Sequence, residues 1–132
     1  MHRLLILALA VTLSACVSTQ SVVNRLGANY VGRSFDDFVI RYGVPSQKHD
    51  LASGDVVYVW NSGTTSVGIP MSATTTRTGS TYNTQFAGGG SIVMFCEVQF
   101  VTSPSGVIKN VTILKDTAGF WTTSRCNEVF SK

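Results

Sequence analysis

Charged residues and long hydrophobic runs are both scarce in this chain of 132 residues. Only 13% of the residues are Asp, Glu, Lys or Arg, and the formal net charge is +3. The basic residues are scattered singly, whereas a nucleic-acid interface needs Lys and Arg clustered on one face, so we expect no nucleic-acid partner. The longest apolar run, Leu4 to Leu13, covers about half of a ~30 Å hydrocarbon core and is therefore too short for a transmembrane helix.

Groups that perform catalysis or bind metals are also few. The chain has two histidines, and we expect the one within the body of the chain, His49, to lie on the surface. There is no nucleophile elbow, and Gly88–Gly90 lack the lysine and the spacing of a phosphate-binding loop. We therefore predict that the protein is not an enzyme and has no cofactor, no metal site and no small-molecule substrate.

The N-terminus has the layout of a secretory signal. Met1–Arg3 is a short positive region, the apolar run follows, and small residues lead to Cys16. Leu13-Ser14-Ala15-Cys16 also resembles the lipobox of bacterial lipoproteins. That resemblance implies a signal peptide at residues 1–15 and lipidation of Cys16. The alternative is an ordinary cleaved signal that happens to have a cysteine nearby.

The residue after the cysteine bears on sorting. Val17 is not the Asp that retains many such proteins at the inner membrane, so the resemblance implies the outer membrane, with the domain facing the periplasm. Several acyl chains, at ~0.8 kcal/mol per buried methylene, make a strong anchor. We expect residues 16–29 to be a tether, with at most one helical turn, that could lift the domain at most ~45 Å from the bilayer.

The mature chain would have 117 residues (132 minus 15), enough for one domain at 30–132. Cys96 and Cys126 then remain, and two cysteines in an exported chain predict a disulfide. It would close a loop of about 30 residues and stabilise the fold by roughly 3–4 kcal/mol. A metal pair is the competing interpretation, but it lacks further ligands.

Apolar spacing predicts the regular elements. Ser34 as N-cap, a face of apolar residues at helical spacing, and Gly43 followed by Pro45 indicate a helix over Phe35–Tyr42. The β-branched and aromatic run Val56–Trp60 predicts a strand that is central in its sheet. Three further segments complete the prediction: a hairpin of Ile92–Val101 with Val107–Leu114, and a short helix or turn at 124–130.

Residues 61–90 differ in character from the rest. Ser, Thr and Gly make up 18 of these 30 residues, and Arg77 carries the only charge. Such a segment buries too little apolar surface to offset the entropy of ordering it, so a flexible inserted loop is favoured. Because threonine suits strands, an extended hairpin is the alternative.

Three short motifs resemble a known family: Tyr30-Val31-Gly32-Arg33-Ser34, Asp36-Asp37 and Arg41-Tyr42-Gly43-Val44-Pro45. They are similar to the opening of the small outer-membrane lipoproteins of the BamE (SmpA/OmlA) type. The resemblance implies an α+β domain and a part in outer-membrane assembly machinery. We therefore predict an α+β fold in which one or two short N-terminal helices pack on an antiparallel sheet of about three to four strands, with one disulfide.

Two functions are compatible with these features. The first is a lipid-anchored accessory scaffold or stabilising subunit of an outer-membrane protein complex. The second is a periplasmic binding or inhibitor module that acts on an envelope enzyme. We expect the structured face to bind the partner, rather than residues 61–90. The candidate contact residues are Tyr58, Trp60, Tyr82, Phe86 and Trp121.

Overall fold

The structure, a computed structural model, describes residues 18–132. The predicted signal peptide, Cys16 and Val17 lie outside the described residues. The described elements are α1 (Thr19–Tyr30), α2 (Phe35–Tyr42), β1 (Gln47–Asp50), β2 (Val56–Asn61), β3 (Thr65–Gly68), β4 (Met71–Thr78), β5 (Thr81–Gly88), β6 (Ser91–Met94), β7 (Cys96–Thr102), β8 (Ile108–Asp116) and α3 (Arg125–Phe130). None of the helices in residues 18–132 has both the length and the apolar character needed to cross a bilayer.

The predicted fold class is wrong. Strands make up 45% of the described structure and helices 23%, so the domain is mostly β rather than one or two short helices on a sheet of three to four strands. Eight strands form one four-stranded and two two-stranded sheets within residues 18–132. The difference arises at residues 65–94, where the Ser- and Thr-rich sequence forms strands β3 to β6. Backbone pairing, rather than apolar burial, orders this segment, and composition alone underestimated it.

The four-stranded sheet has the order β1-β2-β7-β8, and all its neighbours are antiparallel. The predicted strand Val56–Trp60 is confirmed as part of β2, which lies between β1 and β7. Tyr58 pairs with Phe100, and Trp60 pairs with Val98. The predicted central position of this strand is therefore correct.

Helix α2 is confirmed at the predicted bounds. The Ser34 hydroxyl accepts a hydrogen bond from the Asp36 N–H at 3.2 Å, and Gly43 ends the helix with a φ of +95°. Phe35 and Phe38 are buried, and the ring of Phe38 lies 4.4 Å from that of Phe100. The apolar face of the helix thus packs on the centre of the sheet.

Most of the predicted tether is a helix that belongs to the core. Val22, Leu26 and Tyr30, spaced four residues apart, are buried along one face of α1. That spacing places the three side chains on the same side of a helix. The sequence contained these apolar residues, but the polar residues between them hid their common face. Since α1 begins at Thr19, residues 19–29 do not act as an extended tether.

The predicted disulfide is present. Cys96, the first residue of β7, is bonded to Cys126 in α3, and their Cα atoms lie 4.9 Å apart. Both residues are fully buried. The bond therefore fastens the C-terminal helix to the edge of the core at the end of the sheet where β7 begins.

The predicted hairpin of 92–101 with 107–114 is correct only for β7 and β8. Ser103–Gly106 form the connecting turn, in which the Gly106 N–H donates to the Ser103 carbonyl at 2.9 Å. Residues 91–94, however, are a separate strand that pairs with β3. The break lies at Phe95, whose N–H donates to the Thr117 hydroxyl at 2.9 Å instead of to a neighbouring strand.

Candidate protein-binding surface

An arm made of two successive pairs of antiparallel strands extends from the main sheet at the point where β2 ends. We define the arm as residues 62–95. Its base is the β3–β6 pair and its outer part is the β4–β5 pair. Every residue of β4 and β5 is exposed. Eight paired residues at about 3.3 Å each make the outer part about 25 Å long. Residues 61–90, expected to be a flexible loop, thus contain most of this arm.

The outer arm has two chemically different faces. Alternate residues of a strand point to opposite sides, so the register assigns each residue to a face. One face, called here the apolar face, contains Met71, Ala73, Tyr82 and Phe86 among its residues. The other consists of Ser72, Thr74, Thr76, Thr78, Thr81, Asn83, Gln85 and Ala87. Met71, Tyr82 and Phe86 are each about two-thirds exposed, at 67%, 65% and 68%.

The strand pairing of the outer arm leaves both of its edges open. Within the described residues, β4 and β5 pair only with each other, so each strand has one row of backbone groups that no strand covers. Open edges of this kind can accept a further strand. An exposed apolar face together with open edges is typical of a surface that binds another protein.

Glycine sets the geometry where the outer arm meets its base. Gly88 has a φ of +84°, and a Cβ at this position would lie 2.7 Å from the Pro70 carbonyl oxygen. A side chain is therefore excluded by both the backbone conformation and the close approach of the opposite strand. This requirement gives the Gly-rich sequence at 88–90 a structural role at the arm's bend.

Of the candidate contact residues, Trp60 lies in the core and Tyr58 is partly buried against it. Trp60 is 5% exposed, its indole N–H donates to the Tyr42 carbonyl at 3.1 Å, and its ring contacts Phe38. Tyr58 stacks on Phe35 with 4.3 Å between ring centroids. Because α2 covers this face of the sheet, Trp60 is not accessible and Tyr58 is only partly exposed, so neither is part of the candidate binding surface.

The other three candidates are exposed, but the structure does not gather them in one patch. Tyr82 and Phe86 share the apolar face of the arm, where the Arg77 guanidinium lies 5.5 Å from the Tyr82 ring centroid. Trp121 lies in a loop after β8 and is 91% exposed. Met71 was missed by the sequence analysis, although its alternation with Ala73 could have indicated it.

A single carboxylate fixes the loop that carries Trp121. We define the Trp121 loop as residues 119–122. The Glu128 carboxylate accepts hydrogen bonds from the backbone N–H groups of Phe120 at 3.0 Å, Trp121 at 2.5 Å and Thr122 at 2.9 Å. Arg125 adds a salt bridge to the same group at 3.2 Å. The exposed indole therefore stands on a loop whose backbone is held in place.

The same contacts determine the acidity of Glu128. Burial alone would raise the pKa of this carboxyl, but the three backbone N–H groups and Arg125 outweigh burial and lower its pKa to about 2. Gly119 is required beside it, because a Cβ at that position would collide with the carboxylate. Glu128 has no motif around it that would have indicated this role from sequence.

An open apolar groove of about 190 Å³ lies between the arm base and the Trp121 loop. It is lined by Val67, Ile92, Met94, Ala118, Gly119 and Phe120. Strands β3 and β6 supply one side and the chain after β8 supplies the other. No charged side chain lines the groove.

His49 lies on edge strand β1, as expected on the surface. Its neighbours Lys48 and Asp50 form an exposed salt bridge at 3.2 Å. In residues 18–132, no three His, Cys, Asp or Glu side chains are grouped as a metal site would need.

Comparison of the chain with protein-family models, with curated proteins and with solved structures finds no match.

Proposed function

We propose that this protein is a lipid-anchored envelope protein that acts as an accessory scaffold or stabilising subunit of an outer-membrane protein complex. Its role would be similar to that of BamE-type assembly factors. The observation that carries the proposal is the outer arm, which presents an apolar face and two open strand edges, although the sequence had favoured binding outside residues 61–90. The lipobox at residues 13–16 and the family-like motifs in residues 30–45 support the location and the role.

The arm has the residue types that dominate binding energy at protein interfaces. Tyr82 and Arg77 lie side by side, and Phe86 lies further along the same face. Tyr, Trp and Arg are enriched among the few residues that contribute most of the affinity. The proposed contact therefore buries Met71, Tyr82 and Phe86 against the partner, while the polar face stays in water.

Hydrogen bonds between β4 and β5, made on both faces of the outer arm, contribute to this arrangement. Thr75 and Thr84 are joined by a hydrogen bond between their hydroxyls at 2.9 Å, and the Ser72 hydroxyl contacts the Ala87 carbonyl at 3.2 Å. Such cross-strand contacts favour the paired ribbon without any apolar core. The arm is thus already ordered in the free protein, which lowers the entropic cost of association.

The test is cross-linking in intact cells followed by purification of the protein. A variant with Met71→Ser, Tyr82→Ser and Phe86→Ser removes the apolar face. The matched control, Ser72→Ala, Asn83→Ala and Gln85→Ala, changes as many residues on the polar face. We expect the wild type and the control to capture an integral outer-membrane protein and the first variant to lose it. Equal capture by both variants would contradict binding through the apolar face.

The second candidate function is inhibition of an envelope enzyme. One observation favours it: the arm ends in an exposed turn at Gly79–Ser80, and a projecting tip can enter a cleft. In that case the captured protein is an enzyme. Replacing Gly79 and Ser80, rather than the apolar face, would then abolish capture.

A further inference from the structure

We propose that the Trp121 loop is a membrane-contact site that inserts into the interface of a phospholipid bilayer. The proposal rests on the lipid anchor of the proposed function, and adds a second attachment point that orients the domain. It is carried by the position of the loop relative to the start of α1.

Asp116 ties the start of the described chain to the region of the Trp121 loop. Its Oδ2 atom accepts hydrogen bonds from the Thr19 hydroxyl at 3.0 Å and from the Ser124 hydroxyl at 2.6 Å. Its Oδ1 atom accepts from the Cys126 N–H at 2.9 Å. Thr19 and Ser124 are therefore neighbours at one end of the sheet, which we call the Asp116 end.

The proposed anchor lies close to this end. Cys16 precedes Thr19 by only three residues, which reach at most about 11 Å when fully extended. Trp121 precedes Ser124 by the same number of residues. A lipidated Cys16 thus holds the Asp116 end next to the bilayer, and it brings the exposed indole within reach of the headgroup region.

The arm leaves the sheet at the same end. Asn61 pairs with Glu97 where β2 finishes, and Cys96 pairs with Asp116 where β8 finishes. The far end of the sheet is distinguished by different contacts, since the Gly32 N–H there donates to the Ile108 carbonyl at 2.8 Å. The arm base, the start of α1 and the Trp121 loop therefore share one end of the domain.

The side chains of the Trp121 loop suit a bilayer interface. Trp121 is 91% exposed and Phe120 is about half exposed. Tryptophan is enriched at membrane–water interfaces, because its ring is largely apolar and its N–H stays near water. Because Glu128 already holds the loop, its backbone would lose little conformational freedom when the indole inserts into the bilayer.

One exposed basic side chain near the loop suits contact with a lipid surface. The carboxylates of Asp116 and Glu128 are occupied by internal hydrogen bonds, whereas the neighbouring Lys115 is exposed. A basic residue close to the interface is attracted to anionic headgroups. Lys115 thus offers one attraction to the headgroups, while Asp116 and Glu128 keep their negative charge and are held by internal donors.

The test uses the lipidated full-length protein in vesicles of phosphatidylethanolamine and phosphatidylglycerol. One set contains bromine atoms on the acyl chains near the glycerol backbone, where they quench tryptophan emission on contact. The chain has two tryptophans, and Trp60 is buried in the core. Trp121→Phe is therefore a matched control that keeps only the shielded tryptophan.

We expect bromolipids to reduce the emission of the wild type and ordinary vesicles to shift it to shorter wavelength. Trp121→Phe should show neither change. Wild-type protein that floats with vesicles but shows no bromolipid quenching would overturn the inference. It would also be overturned if the emission of Trp121 changed only after outer-membrane proteins were added, because the contact would then be with protein.

Flotation separates this inference from the proposed function. Protein that does not float contradicts both the anchor and the membrane contact. Protein that floats without quenching contradicts the membrane contact alone, and the scaffold proposal is then judged by the arm variants.

Discussion

The Trp121 N–H donates a 2.5 Å hydrogen bond to Oε1 of Glu128, seven residues along the chain. Through this bond a buried carboxylate in α3 holds a tryptophan that is almost wholly in solvent. Two more backbone N–H groups of the same loop point at the carboxylate. The arrangement links the stability of the C-terminal region to the position of the most exposed aromatic side chain of the described domain.

The stability of the domain should depend on pH through Glu128. Its pKa is lowered from 4.5 to about 2, so the folded state binds the proton less tightly than the unfolded state. The stabilisation is therefore complete above about pH 4.5 and is lost as the pH falls through about 2, by roughly 3–4 kcal/mol in total at ~1.4 kcal/mol per pKa unit. Urea unfolding at several pH values measures it. Glu128→Gln should be less stable at pH 7 and should flatten this dependence; an unchanged pH profile would contradict the assignment.

Loss of the disulfide should destabilise the domain. Cys96→Ser should lower the free energy of unfolding by about 2–5 kcal/mol, because the cross-link restricts the unfolded chain. Denaturant unfolding measures this. As a control, wild-type protein unfolded without reductant should show no thiol from Cys96 or Cys126. A reactive thiol at either position under those conditions would show that the bond is absent in solution.

Helix α2 should contribute more through its buried ring than through its cap. Phe38→Ala should cost about 3–5 kcal/mol, because the ring is fully buried against the sheet. Ser34→Ala should cost about 1 kcal/mol, the usual effect of losing an N-cap. Unfolding curves of both variants at neutral pH measure these costs. Similar small costs at the two positions would mean that α2 does not pack as described.

Removal of the outer arm should leave the core intact. Gly68 and Ser91 face each other in the β3–β6 pair, so residues 69–90 can be replaced by Asn-Gly. Because every residue of β4 and β5 is exposed, we expect the free energy of unfolding to change by about 1 kcal/mol or less. Thermal unfolding of this variant beside the wild type measures the change. A loss of several kcal/mol would show that the arm supports the fold.

Blocking lipidation should change where the protein is found. Cys16→Ser should release the protein from the membrane fraction or leave its precursor uncleaved, because the proposed lipobox would lose the sulfur that it is expected to acylate. Fractionation and intact mass distinguish these results from the wild type. Unchanged membrane association together with a normal mature mass would contradict the lipobox interpretation.

The sequence by itself determined the elements whose signals are local. Ser34 and Gly43 bound α2 correctly, Val56–Trp60 indicated an inner strand, and the two cysteines indicated their bond. The signals for α2 and the strand come from residues that are close in sequence. The disulfide was indicated because only two cysteines remain after Cys16, so no knowledge of the tertiary structure was required.

Tertiary structure decided the features that depend on contacts between distant residues. The sequence did not show that α2 covers Trp60. It also did not show that α1 buries Val22 in the core. The arm was only the alternative to a flexible loop, because its strands are stabilised by pairing, which composition does not report. The Trp121 loop depends on Glu128, and its closeness to Thr19 depends on Asp116. The physical reason is the same in each case: a hydrogen bond or a buried contact across the fold depends on geometry that residue types alone do not specify.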